Sequence, residues 1–170
     1  FSGIAGLLAG ALSMGAGVSC SIGCFVYLDS LATEQVFMAK FNTSGDQRGY
    51  LLRFRSASND FRADWSSDGT AAGQKVLASQ IGTPVTARWY HLLFTYDAAA
   101  QLASFYVDNV PMQTTAETVG IFNDTADFFI GAYQTGTFAN LAGRVKSAAV
   151  WKRVLTAAER LEFFGGGRGT

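Results

Sequence analysis

Acidic side chains and one histidine are the groups that could carry out catalysis in this 170-residue chain. Hydrolysis of a glycosidic bond needs two carboxyl groups, one on each side of the bond. None of the four glutamates has a carboxylate neighbour at strand spacing, namely Glu34, Glu117, Glu159 and Glu162. The sequence therefore predicts no glycosidase activity.

His91 is the only imidazole available as a general base. It lies within a run of alternating aromatic and aliphatic residues, and no nucleophile motif accompanies it. A catalytic histidine needs a serine or cysteine in reach and a carboxylate that orients the ring. We expect His91 to be hydrogen-bonded within a sheet instead, and we predict that the chain is not an enzyme.

Two aromatic residues with polar neighbours are candidates for ligand binding. Trp65 is followed by Ser66, Ser67 and Asp68, and Tyr133 is followed by Gln134. Sugars stack on such rings while nearby amides and carboxylates bind their hydroxyls. We therefore take Trp65, Asp68, Tyr133 and Gln134 as candidate ligand-binding residues, with packing of the two rings in the core as the alternative.

Calcium is a candidate cofactor because several aspartates lie close together in loop-like segments. Asp124 and Asp127 flank Thr125-Ala126, and Asp64 and Asp68 flank the Trp65 segment. Ca²⁺ takes six to eight oxygen ligands, which such a loop could begin to supply. Solvated turn aspartates are the alternative interpretation.

The elements that must position these residues are predominantly strands. Alternating apolar and polar residues predict strands over 18–28, 36–41, 50–55, 61–65, 76–81, 89–97, 105–109, 128–131 and 145–151. One helix is predicted over 156–164, where Thr156 and Glu159 form a capping box and the glycines 165–167 stop the helix. This order predicts an all-β, antiparallel two-sheet sandwich with one short C-terminal helix.

Charge and cysteine content exclude several classes of protein. Thirteen basic residues balance thirteen acidic ones, so no nucleic-acid footprint is present. Arginines at 48, 53, 55 and 62 are interleaved with aspartates, which predicts a solvated, charge-paired sheet face. Cys20 and Cys24 would lie on one face of a strand about 13 Å apart, too far for a disulfide, so we expect both to be core residues.

The first 28 residues carry no charge. The glycines at 3, 6, 10, 15, 17 and 23 argue against a membrane span. Residues 1–17 are expected to form either a glycine-rich first strand or an apolar arm. In the arm, Ile4, Leu7 and Leu8 would contact another protein subunit.

The sequence resembles the laminin-G-like branch of the concanavalin A-like lectin/glucanase superfamily. Residues 89–97 match its W-x-H-hydrophobic-x-hydrophobic-T-Y-D strand, and 105–109 match the following hydrophobic-Y-V-D-G hairpin. Residues 22–31 are similar to the family's opening strand, and 129–159 to its closing segment. The closing strand departs from the pattern, because Lys146-Ser147 replace an Asp-Glu pair.

The resemblance implies a concanavalin A-like jelly roll over residues 18–164. The glycine run that follows predicts a tail at 165–170. The resemblance also implies a binding role, often aided by loop-bound calcium. Two functions are expected. One, favoured by the uncharged apolar N-terminal segment and the lack of disulfides, is a structural or decoration module of a virus or phage particle or of a cell surface, with an adhesive glycan-binding role. The other is a carbohydrate-binding module of a secreted protein. The expected location is extracellular or on a virion surface.

Overall fold

The computed structural model describes residues 9–133 and 139–167. In this part of the chain, ten strands form two five-stranded antiparallel sheets, and a helix follows the last strand. The predicted all-β sandwich is confirmed. The first sheet has the order β10-β1-β6-β7-β8, and the second has the order β5-β4-β3-β2-β9.

The strands are β1 Cys20–Leu28, β2 Gln35–Asn42, β3 Gln47–Arg55, β4 Asp60–Ser66, β5 Gln74–Ala78, β6 Trp89–Asp97, β7 Leu102–Val107, β8 Val110–Ala116, β9 Phe128–Ile130 and β10 Gly143–Trp151. The helices are the single turn α1 Ala9–Leu12 and the longer α2 Ala157–Gly167. Neither of these helices has the length and hydropathy to cross a membrane.

Period-two alternation explains the core between the sheets. In β1, Cys20, Ile22, Cys24 and Val26 are fully buried and belong to the main hydrophobic cluster. Both cysteines are free thiols, as expected, and burial raises the pKa of Cys20 to about 12. A thiol with so high a pKa stays protonated at neutral pH, so it acts here as a small apolar side chain.

Part of the N-terminal segment packs on its own domain. Met14 belongs to the main core, the Ser13 hydroxyl donates to the Asp124 carbonyl at 2.7 Å, and Ala16 forms an antiparallel bridge with Gly120. Residues 13–16 are therefore neither an arm nor a continuous strand, which corrects the expectation for this part. Ile4, Leu7 and Leu8 lie outside the described residues, and the arm prediction stands for them alone.

Helix α2 begins as the sequence predicts. The Glu159 amide donates to the Thr156 hydroxyl, and Glu159 Oε2 accepts the Thr156 amide at 2.8 Å. The bond from Arg153 and the Thr156 amide lower the pKa of Glu159 to about 2. The end of the helix differs from the prediction, because α2 continues to Gly167 and the expected tail 165–170 begins as helix. Glycine weakens a helix by about 1 kcal/mol relative to alanine without excluding it from a last turn.

Helix α2 covers the outer face of the first sheet and buries His91. Phe163 and Phe25 lie against the imidazole, with ring centroids 4.7 Å away in each case. Neither ring nitrogen of His91 has a hydrogen-bond partner, so the prediction of a hydrogen-bonded imidazole is wrong. The neighbours of the imidazole are phenylalanines, which offer no hydrogen-bond acceptor. Two of them, Phe163 and Phe164, belong to α2, so the alternation within the sheet does not reveal their contact with His91.

Candidate functional site

The outer face of the second sheet carries an apolar cluster separate from the main core. Val36, Ala39, Phe41 and Leu51 are buried there, although they point away from the first sheet. The half-buried ring of Tyr133 packs on this cluster, with its centroid 5.8 Å from that of Phe41. The face therefore has an apolar floor and one aromatic wall.

The segment after β9 holds Tyr133 in this position. The Gly131 amide donates to the Phe37 carbonyl at 2.9 Å, and the Val36 amide donates to the Ala139 carbonyl at 2.8 Å. Gly131 has φ +74°, a conformation that side chains disfavour, so glycine permits the chain to turn back over β2. These two backbone bonds attach Gly131 and Ala139 to β2, and the first of them lies two residues from Tyr133.

An ion-paired group forms the polar wall. Arg53 donates through Nε and Nη2 to the two Asp64 oxygens at 2.9 and 2.7 Å, and through Nη1 to Glu34 Oε1. The Gln74 amide nitrogen donates to Asp64 Oδ1 at 3.1 Å. Asp64 is buried beneath the other three residues, and the Glu34 side chain is 26% exposed. Burial raises the pKa of the Asp64 carboxyl, and the Arg53 guanidinium opposes that rise.

A cavity of about 160 Å³ lies between the apolar floor and the polar wall. Its lining combines apolar, aromatic and hydrogen-bonding groups, contributed by Glu34, Val36, Phe41, Thr43, Leu51, Arg53, Gln74 and Tyr133. This mixture suits a ligand with one apolar face and several hydroxyl groups.

Trp65 does not lie in this cavity. Its side chain is fully buried in the main core, with its ring 5.1 Å from that of Phe94. Its Nε1 donates to Glu117 Oε2 at 2.7 Å. A ring with no exposed face cannot stack on a sugar, so Trp65 serves the core, which was the alternative interpretation. The alternation of residues in β4 explains this position, because Phe61, Ala63 and Trp65 all point toward the main core.

The other candidate ligand residues have different positions. Tyr133 lines the cavity, whereas Gln134 lies outside the described residues. Asp68 is exposed in the loop after β4 and is not among the lining residues. Asp68 Oδ1 accepts the Thr70 amide and hydroxyl at 2.8 Å, and these bonds lower the pKa of Asp68. Asp68 therefore stabilises its own turn.

The two aspartates proposed for calcium are not placed as a pair of ligands. Asp124 is buried, and its Oδ1 accepts from Lys40 Nζ at 2.7 Å, while Asp127 is exposed. The Lys40 ammonium already supplies the positive charge that a cation would bring. Among the described residues, no group of three or more His, Cys, Asp or Glu side chains could hold a metal ion.

Sequence reasoning identified part of the polar wall. The predicted charge pairing is confirmed by Arg53 with Asp64 and by Arg62 with Asp60, whereas the predicted solvation is wrong for Asp64, whose side chain is buried. Glu34 and Gln74 were missed as site residues, because they come from the residue before β2 and from the edge strand β5. For Asp64, the sequence did carry a signal. Asp64 alternates with the inward residues of β4, which indicates that its side chain lies on the outer face of the sheet.

The comparisons with known proteins agree with this architecture. The chain is similar to the sialidase CBM40 of Ruminococcus gnavus, solved with α2,3-sialyllactose (TM-score 0.68, 13% identity, 88% of this chain and 83% of that one). It is also similar to the heptameric SAP-like pentraxin of Limulus polyphemus (0.64, 13%, 91% and 72%). A third similar structure is a candidate carbohydrate-binding protein from Bacteroides ovatus ATCC 8483 (0.64, 18%, 85% of this chain).

The chain spans only 40% of the length of that Bacteroides protein. No curated protein matches the sequence. At these identities the similar structures establish the fold alone. The model of a laminin G-type family, described as the concanavalin A-like lectin/glucanases superfamily, matches residues 4–159. The chain therefore belongs to the concanavalin A-like lectin/glucanase superfamily.

Proposed function

We propose that this chain is a non-catalytic, lectin-like module that binds glycans in the cavity beside Tyr133. The observation that carries the proposal is the combination of an aromatic wall, an apolar floor and an Arg53–Glu34–Gln74 polar wall around one cavity. Carbohydrate recognition uses this combination, because a sugar ring has an apolar face and a rim of hydroxyl groups. Two of the similar structures are described as carbohydrate-binding proteins or modules, which supports the same proposal.

The carboxylates near the cavity support a binding role over a catalytic one. Glu34 and Asp64 are brought together in space, but both accept hydrogen bonds from Arg53. Hydrolysis of a glycosidic bond needs a carboxyl group on each side of the bond, and of these two carboxylates only Glu34 lines the cavity. Glu117 is engaged with Trp65 and Lys75 in the interior, so it cannot serve the cavity.

Substitution of Tyr133 tests the proposal. Tyr133→Ala removes the aromatic wall and should reduce binding to immobilised glycans by about fivefold or more, since a stacked ring contributes on the order of 1 kcal/mol or more. Tyr106→Ala is the matched control, because Tyr106 is a half-buried tyrosine on the outer face of the other sheet. Equal binding by wild type and Tyr133→Ala, or loss of binding only in Tyr106→Ala, would contradict the proposal.

We also propose that the module acts at a surface, in a secreted protein, on a cell or on a virus or phage particle. The sequence of residues 1–8 supports an assembly role there, since it contains Phe1, Ile4, Leu7 and Leu8 and no charged residue. An apolar segment of this kind favours contact with another protein subunit. Truncation of this segment tests the assembly role independently of glycan binding.

A further inference from the structure

We infer that the cavity beside Tyr133 takes uncharged sugar units and disfavours sugars that carry a carboxylate or another anion. This inference rests on the proposed function and adds the chemical class of the ligand. It follows from the charges and the hydrogen-bonding capacity of Glu34, Arg53, Asp64 and Gln74. An arginine in a sugar site suggests an anionic ligand at first sight, but this arginine is already neutralised.

The charges around the cavity sum to −1. Arg53 contributes one positive charge, and Asp64 and Glu34 contribute two negative charges, both hydrogen-bonded to that guanidinium. Arg53 Nε, Arg53 Nη2 and Gln74 Nε2 all donate to the Asp64 oxygens, and three donors around one carboxyl group favour the carboxylate over the carboxylic acid. An anionic ligand would therefore meet a guanidinium that is already paired with two carboxylates.

The neighbouring cations do not change this balance. Arg62, on the same face, is paired with Asp60 at 2.8 Å. Lys40 lies on the inner side of β2, where its ammonium is fully buried against Asp124. Arg55 lies two residues beyond Arg53 along β3 and is not among the residues that line the cavity.

The remaining hydrogen-bonding groups match neutral hydroxyls. Arg53 has five N–H donors and uses three of them on Asp64 and Glu34, which leaves two. Glu34 Oε2 remains as an acceptor on a partly exposed side chain. Vicinal hydroxyl groups both donate and accept, so one could donate to Glu34 while its neighbour accepts from Arg53. A ligand carboxylate can only accept, and it would lie beside the Glu34 carboxylate at a cost in affinity.

The size of the cavity limits the ligand to one ring. Its volume of about 160 Å³ is below the range of about 300–1,000 Å³ that holds drug-sized ligands. A single pyranose placed between Tyr133 and Arg53 is therefore the unit that the cavity recognises, with any further sugar units extending into solvent.

Matched pairs of monosaccharides test the inference. The probes are methyl glycosides of glucose, galactose and mannose, each compared with its C6-carboxylate counterpart, in low-salt buffer at pH 7. Dissociation constants come from saturation-transfer NMR titrations. In the pair that binds best, wild type should prefer the neutral sugar by about tenfold or more, since one repulsive charge contact at a partly exposed site is of that size.

Glu34→Gln is the diagnostic variant, because it removes one negative charge and keeps an oxygen that can accept from Arg53. It should narrow the preference to about threefold or less, and Tyr106→Ala should leave it unchanged. Equal or tighter binding of the carboxylate sugar by wild type would overturn the inference while the proposed glycan-binding function stands. An unchanged preference in Glu34→Gln would also overturn it. The absence of binding for all six probes would overturn the inference and the proposed function together.

Discussion

The buried histidine should make this protein less stable in mild acid. His91 is fully buried among the rings of Phe25, Phe163 and Phe164, and both of its nitrogens lack hydrogen-bond partners. Burial lowers the pKa of His91 to about 4, although the nearby Asp108 carboxylate acts in the opposite direction. The folded protein therefore resists protonation of a group that is readily protonated once the chain unfolds.

The size of the effect follows from the two pKa values. The unfolded chain binds a proton at His91 as the pH falls below about 6.5, whereas the folded chain binds it only near pH 4. Because the unfolded state binds more protons between these values, the free energy of unfolding falls as the pH falls. The loss attributable to His91 is about 2–3 kcal/mol between pH 7 and pH 4.

His91→Leu isolates this contribution, since leucine has a similar volume and no titratable group. Urea unfolding followed by tryptophan fluorescence at pH 7 and pH 4 should show a smaller loss in the variant, by about 2–3 kcal/mol. Because His91 is the only histidine, an NMR titration of its ring also gives the pKa directly. Equal acid losses in both proteins, or a measured pKa of 6.5 or higher, would refute the reasoning.

Three further predictions concern packing and assembly. Gly23→Ala should destabilise the protein by about 1–3 kcal/mol in urea unfolding, because a Cβ there would lie 2.8 Å from a β6 carbonyl oxygen. Gly165→Ala, in open space within α2, should instead stabilise by up to about 1 kcal/mol, and the same sign for both variants would contradict the packing. Lys40→Met should cost about 3–5 kcal/mol by leaving Asp124 buried without its partner, and added calcium should not restore that stability. Deletion of residues 1–8 should reduce the mass measured by light scattering while circular dichroism stays unchanged, and an equal mass for both proteins would contradict the arm.

Strand positions were predictable because each of the matched strands alternates apolar and polar residues around a buried core. Strand β8 was not predicted, since Val110–Ala116 includes Pro111 and a run of polar residues at the edge of its sheet. Trp65 was predicted as a candidate ligand-binding residue, although its alternation with Phe61 and Ala63 in the predicted strand already indicated the core. The alternation of residues was therefore enough to predict most of the strands. It also contained the information needed to assign Trp65 to the core.

The polar wall of the site depends on contacts between distant segments. Glu34 and Arg53 are 19 positions apart in the chain, and Gln74 reaches Asp64 from a neighbouring strand. The sequence indicated a charge-paired face without showing which carboxylates share one guanidinium. Tyr133 was recognisable as an aromatic residue with a polar neighbour, but its packing on Phe41 depends on tertiary contacts between β2 and the segment after β9.

The most direct test of the proposed binding face is an NMR titration of the ¹⁵N-labelled protein with the glycan that binds most strongly to it on an array. If the cavity beside Tyr133 is the binding site, the largest chemical-shift changes will be those of Leu51, Arg53 and Tyr133, and the amides of α2 will stay unchanged. Changes confined to α2 and the outer face of the first sheet would contradict the account.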